Sequence, residues 1–158
     1  MLRTWCETLE TADVTTGKRV FQKVKFAKNS VLYACRVNLI GLNNPTFDDI
    51  SLEIYSIDDL NNPVKLLHTS TNVITKAQMM TTGTGIYDIP FFFDNPVFKA
   101  GDYYAFIIRV SNYNFLDGTY LGWRKDFPDP VYKTNNPYST LESVGTVSYS
   151  IQFVGSRL

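Results

Sequence analysis

Apolar and polar residues alternate along much of the chain, which is typical of strands that bury one face and expose the other. Residues 31–39 show this most clearly, with Arg36 and Asn38 on the side predicted to face solvent. The side predicted to face a core carries Val31, Tyr33, Cys35, Val37 and Leu39. This segment is therefore predicted to be a half-buried β-strand.

Similar patterns recur along the sequence. The strongest predict inward faces formed by Tyr104, Phe106, Ile108 and Val110, and by Val147, Tyr149, Ile151 and Phe153. Weaker patterns predict strands at residues 19–27, 50–57, 64–74, 85–93 and 119–125. Turn-forming Gly, Pro and Asn residues separate these segments. A total of about eight strands predicts an all-β fold, an antiparallel β-sandwich that is jelly-roll-like.

The length of 158 residues fits one domain, and no stretch has the composition of a linker. We expect a single β-sandwich domain over residues 1–158, with its core at roughly 19–154 and a short N-terminal segment at 1–18. Residues 75–84 are polar and rich in threonine, which predicts either a long loop or an exposed edge.

The charge balance argues against a nucleic-acid partner, since fifteen basic residues offset fifteen acidic ones and leave no long-range positive field. No apolar run approaches the roughly 20 residues needed to cross a bilayer, so no membrane association is expected. The first seven residues reach polar side chains before an apolar stretch can form. We therefore expect no signal peptide and synthesis in a cytoplasm.

Catalytic chemistry has few candidate residues. His68 is the only histidine, so a Ser-His-Asp triad or a multi-histidine metal site would have to include it, and its neighbours offer no partner for either. Cys6 and Cys35 form no CxxC pattern; Cys35 is interpreted as a small buried hydrophobe, while a single bridge between the two stays open. We expect no enzymatic activity, no cofactor and no metal site.

Two acidic pairs, Asp48-Asp49 and Asp58-Asp59, are the remaining candidates for chemistry. Both flank predicted turns, where aspartate commonly accepts hydrogen bonds from nearby backbone N–H groups. That role is favoured over a glycosidase pair, whose carboxylates need a defined separation across a cleft. A surface calcium ion stays conceivable, although no Asp-x-Asp-x-Asp spacing is present.

Aromatic residues make up 15% of the chain and are concentrated in its last third, among amides and charges. The candidate ligand or interface residues are Tyr120, Trp123, Arg124, Asp126, Tyr132 and Tyr138. Flat rings beside polar groups suit a sugar-binding face, and the same composition suits a protein interface. Packing over the open end of the sandwich is the structural alternative.

Several short motifs occur in an order that resembles one family of folds. They are Gln22-Lys23-Val24-Lys25-Phe26, the segment from Leu32 to Leu39, Ser51-Leu52-Glu53-Ile54-Tyr55, Ala100-Gly101-Asp102-Tyr103-Tyr104, Tyr120-Leu121-Gly122-Trp123, Asn136-Pro137-Tyr138 and the final strand from Tyr149 to Phe153. In this order they resemble the jelly-roll, galactose-binding-like β-sandwich modules of phage structural proteins and bacterial surface proteins.

The resemblance implies a role as well as a fold. It suggests a non-enzymatic bacteriophage virion structural protein, a capsid decoration or fibre-associated subunit, located in the virion. Its partners would be other virion proteins, in a symmetric homo-oligomer or a capsid or tail lattice. The alternative is a carbohydrate-binding module that presents Tyr120, Trp123, Tyr132 and Tyr138 to a glycan.

Overall fold

Two antiparallel β-sheets packed face to face make up the computed structural model of the chain, which confirms the predicted all-β sandwich. The structure describes residues 6–8, 21–60, 62–80, 82–113, 120–126, 139–142, 148–149 and 151–158. Within these residues there are thirteen strand segments, more than predicted. Two of the predicted strands are each divided in two, and three short segments gave no pattern in the sequence.

The elements are given in chain order. They are β1 (Cys6–Thr8), β2 (Phe21–Phe26), β3 (Ser30–Leu42), β4 (Asp49–Ile57), β5 (Pro63–Thr69), β6 (Ile74–Thr75), α1 (Lys76–Met79), β7 (Gly85–Phe92), β8 (Val97–Phe98), β9 (Tyr103–Val110), β10 (Tyr120–Asp126), β11 (Ser139–Glu142), β12 (Ser148–Tyr149) and β13 (Ile151–Arg157).

The first sheet is organised around β3. One edge of β3 pairs with β8 and then β7, and the other edge pairs with β13 and then β10. β1 and β12 pair in turn with β10. The second sheet has the order β11-β2-β9-β4-β5, and β6 also pairs with β4. Because successive strands repeatedly change sheet, most pairings join distant parts of the sequence.

The core fills the space between the sheets. β4 contributes Ile50, Leu52 and Ile54, each with no exposed surface, and they alternate with outward-facing neighbours. β9 contributes Phe106, Ile108 and Val110 in the same way, as its alternation predicts. Burying each side chain of this size contributes about 1.5–3 kcal/mol relative to leaving it exposed.

An aromatic cluster fills one end of the core. Phe26 stacks on Phe98 with ring centroids 5.0 Å apart, and it meets Phe153 edge-on at 5.6 Å. Phe153 in turn meets Phe106 edge-on at 5.2 Å, and Tyr104 meets Phe98 at 4.8 Å. These are the edge-to-face and offset geometries that aromatic rings prefer. The cluster therefore joins β2, β8, β9 and β13 across both sheets.

The prediction that Val31 and Tyr33 face the core is wrong. Tyr33 is 43% exposed, Val31 is partly exposed, and Leu32 between them is buried. The cause is an irregularity in the β3–β13 pairing, where Val154 lies opposite Ala34 but the next residue, Gly155, lies opposite Leu32. Tyr33 is thus the extra residue of a β-bulge, which reverses the alternation on either side of it.

Gly155 permits the close approach of the two strands at this bulge. A Cβ atom at this position would lie 2.1 Å from the backbone oxygen of Val31. The Tyr33 hydroxyl lies 2.8 Å from the Ser156 hydroxyl, which links the bulge to the neighbouring residue of β13. A side chain at position 155 would therefore force the central pairing of the sheet apart.

Residues 75–84 were predicted to form a long loop or an exposed edge, but they contain a short helix. α1 begins after Thr75, whose side chain accepts a hydrogen bond from the Gln78 backbone at 3.2 Å. The Gln78 side chain accepts one from the Thr75 backbone at 2.9 Å, completing a capping box. The helix buries Met79, and Met80 follows it into the core.

Near the C-terminus the predicted strand is divided. β13 begins at Ile151, which is fully buried, and Phe153 packs against the core as predicted. Tyr149 belongs to the separate strand β12, and Val147 lies outside the described residues.

Gly155→Ala should destabilise the protein by about 1–3 kcal/mol, the usual cost of forcing extra atoms into a packed site. The free energy of unfolding, measured by urea denaturation, tests this. Gly83→Ala is the matched control, since its nearest contact is the Cβ of Asn44 at an ordinary 3.4 Å. Equal stability of the two variants would contradict the role assigned to Gly155.

Candidate functional site

The outer faces of the two sheets differ in exposure. On the second sheet Ala105 and Ile107 point away from the core, yet they are 0% and 2% exposed. Glu53, their neighbour in the pairing of β4 with β9, is also buried. On the first sheet, by contrast, the outer face exposes several apolar side chains, although Ile40 on the same face is only 2% exposed.

An exposed group of apolar side chains lies on the outer face of the first sheet around the bulge, and we call it the apolar patch. It consists of Tyr33, Phe92, Val97 and Val154, which are 43%, 51%, 60% and 49% exposed. Phe92 and Val154 lie on either side of Ala34 in register, so the group is continuous across β7, β3 and β13. Continuous apolar surface of this kind marks interaction sites, whereas single exposed apolar residues do not.

A polar band crosses the same face next to the apolar patch. Arg36 and Asp88 form an ion pair, with Nη2 and Oδ2 separated by 2.8 Å, and about half of each side chain is exposed. A pair this exposed contributes little to stability, typically less than about 1 kcal/mol. Its consequence is instead that one positive and one negative charge sit side by side, on a face that also carries the polar side chains of Asn38 and Gln152.

A cleft at one end of the second sheet is the other candidate, and we call it the end cleft. It has a volume of about 480 Å³, within the range of small-molecule sites. One wall is the loop after β4, with Asp58 and Asp59, and the other is the turn before β9, with Gly101 and Asp102. Lys23, Ile57, Tyr103 and Tyr104 complete the lining.

The polar groups of the end cleft are held in place by their surroundings. Asp58 Oδ1 accepts hydrogen bonds from the backbone N–H groups of Leu60 and Asn62, at 2.9 and 2.8 Å. The Lys23 ammonium lies 4.1 Å from the centroid of the Tyr103 ring, a cation–π contact. Three carboxylates against one ammonium give the cleft a negative lining.

Tyr104 keeps its phenolic proton in this setting. Burial raises the pKa of Tyr104, the Asp102 carboxylate adds to the rise, and a hydrogen bond from the Lys99 backbone opposes it. That N–H group donates to Tyr104 Oη at 3.3 Å. The end cleft therefore combines carboxylate acceptors with neutral phenol and ammonium donors.

The residues chosen from the sequence do not form one exposed site. Trp123 has no exposed surface and belongs to the core, so its candidacy as a ligand-contacting ring is corrected. Its strand pairs it with Leu39, itself fully buried, which explains the inward position. Trp123 therefore has a packing role instead of a ligand-binding role.

The other chosen residues are less fully described. Arg124 is partly buried in β10, and Tyr120 and Asp126 occupy the two ends of the same strand. Tyr132 and Tyr138 lie outside the described residues. Arg124 belongs to neither the apolar patch nor the end cleft. The residues of those two surfaces gave the ordinary signals of strands and turns.

The acidic pairs act as turn and loop contacts. Asp49 accepts a hydrogen bond from the Ser111 hydroxyl at 2.9 Å, and Asp48 accepts one from the Asn112 amide at 2.5 Å. Asp58 orders its own loop, as described above. In the part of the chain that the structure describes, no group of three His, Cys, Asp or Glu residues is arranged to hold a metal ion.

Cys35 is a free thiol in the core, so the bridge to Cys6 is not formed. Burial raises the pKa of the Cys35 thiol well above its ordinary value, which keeps it protonated and unreactive.

No helix within the described ranges is long and apolar enough to span a membrane. Searches of protein-family models, curated proteins and solved structures found no match to this chain.

His68 lies at the edge of the aromatic cluster, where its ring meets Phe98 edge-on at 5.6 Å. Partial burial lowers its pKa from the ordinary value of 6.5. The unfolded chain therefore takes up this proton at a higher pH than the folded protein does. The stability attributable to His68 is fully present above pH 6.5. It declines as the pH falls through 6.5 towards the pKa of His68 in the folded state.

We expect His68→Gln to reduce the loss of stability between about pH 7.5 and about pH 5.5, because the variant has no proton to bind at this position. Urea midpoints of both proteins across this range measure the effect. Carboxylates, which titrate lower, contribute equally to both. An unchanged pH dependence in the variant would show that His68 is not responsible.

Proposed function

We propose that the protein is a non-catalytic structural subunit of a bacteriophage particle, a capsid decoration or fibre-associated protein that attaches through its apolar patch. The observation that supports attachment is the continuous exposure of Tyr33, Phe92, Val97 and Val154 on an ordered sheet. The order of sequence motifs supports the phage setting. Other virion proteins are the proposed partners, and the virion is the proposed location.

The architecture suits a binding role for a physical reason. The apolar patch is built on three hydrogen-bonded strands, β7, β3 and β13, so its side chains are held in fixed relative positions. A rigid surface loses little conformational freedom on binding, which leaves more of the burial energy for affinity. Half-exposed aromatic rings such as Phe92 are typical centres of protein interfaces.

Attachment can be tested with purified particles that carry this chain. Phe92→Asp should reduce the amount of the chain in particles by about tenfold or more, since it places a charge within the apolar patch. Quantitative mass spectrometry of the particles measures the occupancy.

Val64→Asp is the matched control, because Val64 is 63% exposed on β5, in the other sheet. It should leave occupancy unchanged. Normal occupancy of Phe92→Asp, or an equal loss in both variants, would argue against attachment through the apolar patch.

The end cleft favours a second candidate function, the binding of a carbohydrate. Its carboxylates and phenols can accept and donate hydrogen bonds to hydroxyl groups, and the Tyr103 ring offers an apolar surface. The excess of carboxylates disfavours anionic polysaccharides and favours neutral or amine-bearing sugars. This site differs from the aromatic set suggested by the sequence.

For this candidate, Asp102→Asn should weaken glycan binding by about tenfold or more, because a hydrogen bond to a charged group contributes about 1.5–3 kcal/mol. Isothermal titration with neutral and amino polysaccharides provides the measurement. Asp88→Asn, on the opposite sheet, is the control and should bind normally. An absence of binding by the unmodified protein would remove the carbohydrate hypothesis.

A further inference from the structure

The floor of the end cleft is formed by side chains on the outer face of the second sheet. Ser56 of β4 pairs with Tyr104 of β9, so the next pair in the same register is Ile57 with Tyr103. Both residues of that pair line the cleft. An aliphatic side chain and an aromatic ring therefore lie on adjacent strands and form an apolar floor, against which the apolar face of a sugar ring can pack.

Backbone hydrogen bonds hold the two walls of the end cleft. On one wall the Asp58 N–H donates to the Asn62 carbonyl oxygen at 3.0 Å, which closes the loop after β4. On the other wall the Gly101 N–H donates to the Phe26 carbonyl oxygen at 3.1 Å. Gly101 has a φ of 86°, a left-handed conformation that favours glycine. A ligand therefore meets walls that are already ordered, which reduces the entropic cost of binding.

Each wall presents a carboxylate to the cleft. Asp59 belongs to the loop after β4, and Asp102 belongs to the opposite wall. In the part of the chain that the structure describes, neither side chain forms a hydrogen bond or an ion pair. Asp58 differs, because its Oδ1 already accepts two backbone N–H groups. The negative charge that a ligand can reach is thus divided between two opposite walls.

The positive charge of the end cleft is smaller. Among the described residues that line the cleft, only Lys23 carries a positive charge, and its ammonium lies over the Tyr103 ring at 4.1 Å from the centroid. The Lys25 ammonium also contacts this ring, at 5.1 Å, and it donates to the Tyr103 hydroxyl at 3.3 Å. The cleft therefore accommodates an ammonium group beside an aromatic ring and still has an excess of carboxylates.

Charge and spacing together select the class of ligand. No three His, Cys, Asp or Glu side chains of the described residues are arranged to hold a metal ion, so the carboxylates of the cleft do not converge on one ion. Their excess disfavours an anionic ligand. A neutral sugar can hydrogen-bond to both walls but leaves their charge uncompensated. A sugar with a protonated amine supplies hydroxyl groups, an apolar ring face and the compensating charge.

We propose that the end cleft binds glycans that contain free amino sugars. The apolar face of the sugar ring packs on Ile57 and Tyr103, and protonated amines bind the carboxylates of Asp59 and Asp102. Charge-assisted hydrogen bonds of this kind are about twice as strong as bonds between neutral groups. This inference rests on the carbohydrate function proposed for the same cleft, because it names the ligand. It is independent of attachment through the apolar patch.

Two matched ligands test the proposal, namely glucosamine oligomers and N-acetylglucosamine oligomers of the same length. Acetylation removes the charge of the amine. Isothermal titration at about pH 5.5, where amines are protonated and carboxylates are ionised, should show that the glucosamine oligomer binds at least about tenfold more tightly. The difference should decrease as the salt concentration rises, because salt screens exposed charges.

Variants of the cleft test the role of charge directly. Asp59→Asn and Asp102→Asn should each reduce the preference for the glucosamine oligomer by about threefold or more. Lys23→Gln should strengthen binding of this oligomer by about threefold, because it removes a like charge while the Lys25 contacts keep the Tyr103 ring in place. Asp88→Asn, on the other sheet, is the control and should bind both oligomers normally. Unchanged or weaker binding by Lys23→Gln would contradict the electrostatic basis.

The outcomes separate this inference from the carbohydrate function itself. If neither oligomer binds, both are removed. Equal affinity for the two oligomers, or a preference for the acetylated one, overturns the inference and leaves the carbohydrate function in place. Spermine carries several amines on a flexible chain without a sugar ring. If it binds as tightly as the glucosamine oligomer, charge alone is sufficient and the assignment of a sugar is overturned.

Discussion

The β-bulge at Tyr33 determines which side chains of β3 enter the core, and β3 is the strand of the first sheet that pairs with neighbours along both of its edges. On one side of the bulge Leu32 points inward, and on the other side Cys35 does. One extra residue thus places Tyr33 outside, beside Phe92 and Val154, instead of burying it. The bulge in turn depends on the glycine at position 155, since a Cβ atom there would collide with the backbone of Val31. The place of Tyr33 in the apolar patch therefore follows from this local exception to alternation.

Regular alternation was enough to predict the fold class and the inward faces of β9 and the second half of β3, because those strands pair without irregularity there. It failed at Val31 and Tyr33, since a bulge depends on a partner strand at the other end of the chain, and no local pattern reports it. It also missed α1. That helix has four residues, too few for a periodic pattern, and is specified by the capping contacts of Thr75 and Gln78 and by the burial of Met79.

The candidate surfaces were harder to predict than the fold. Aromatic composition drew attention to Trp123, but a strand residue beside buried Leu39 is placed inward by pairing, whatever its suitability for a ligand. Phe92 and Val154 belong to strands far apart in sequence, and each alone is an ordinary exposed apolar residue. Only the pairing of both strands with Ala34 makes them a surface. Asp102 and Asp58 likewise come together only because two separate loops meet at one end of the second sheet.

The thiol of Cys35 has a practical consequence. It lies on the central strand with no exposed surface, and burial raises its pKa, so both access and ionisation oppose its reaction with an alkylating reagent. Alkylation of Cys35 therefore requires a transient opening of the sandwich, and the alkylation rate reports how often the protein opens. Any ligand or partner that holds the two sheets together would slow that reaction, wherever on the surface it binds.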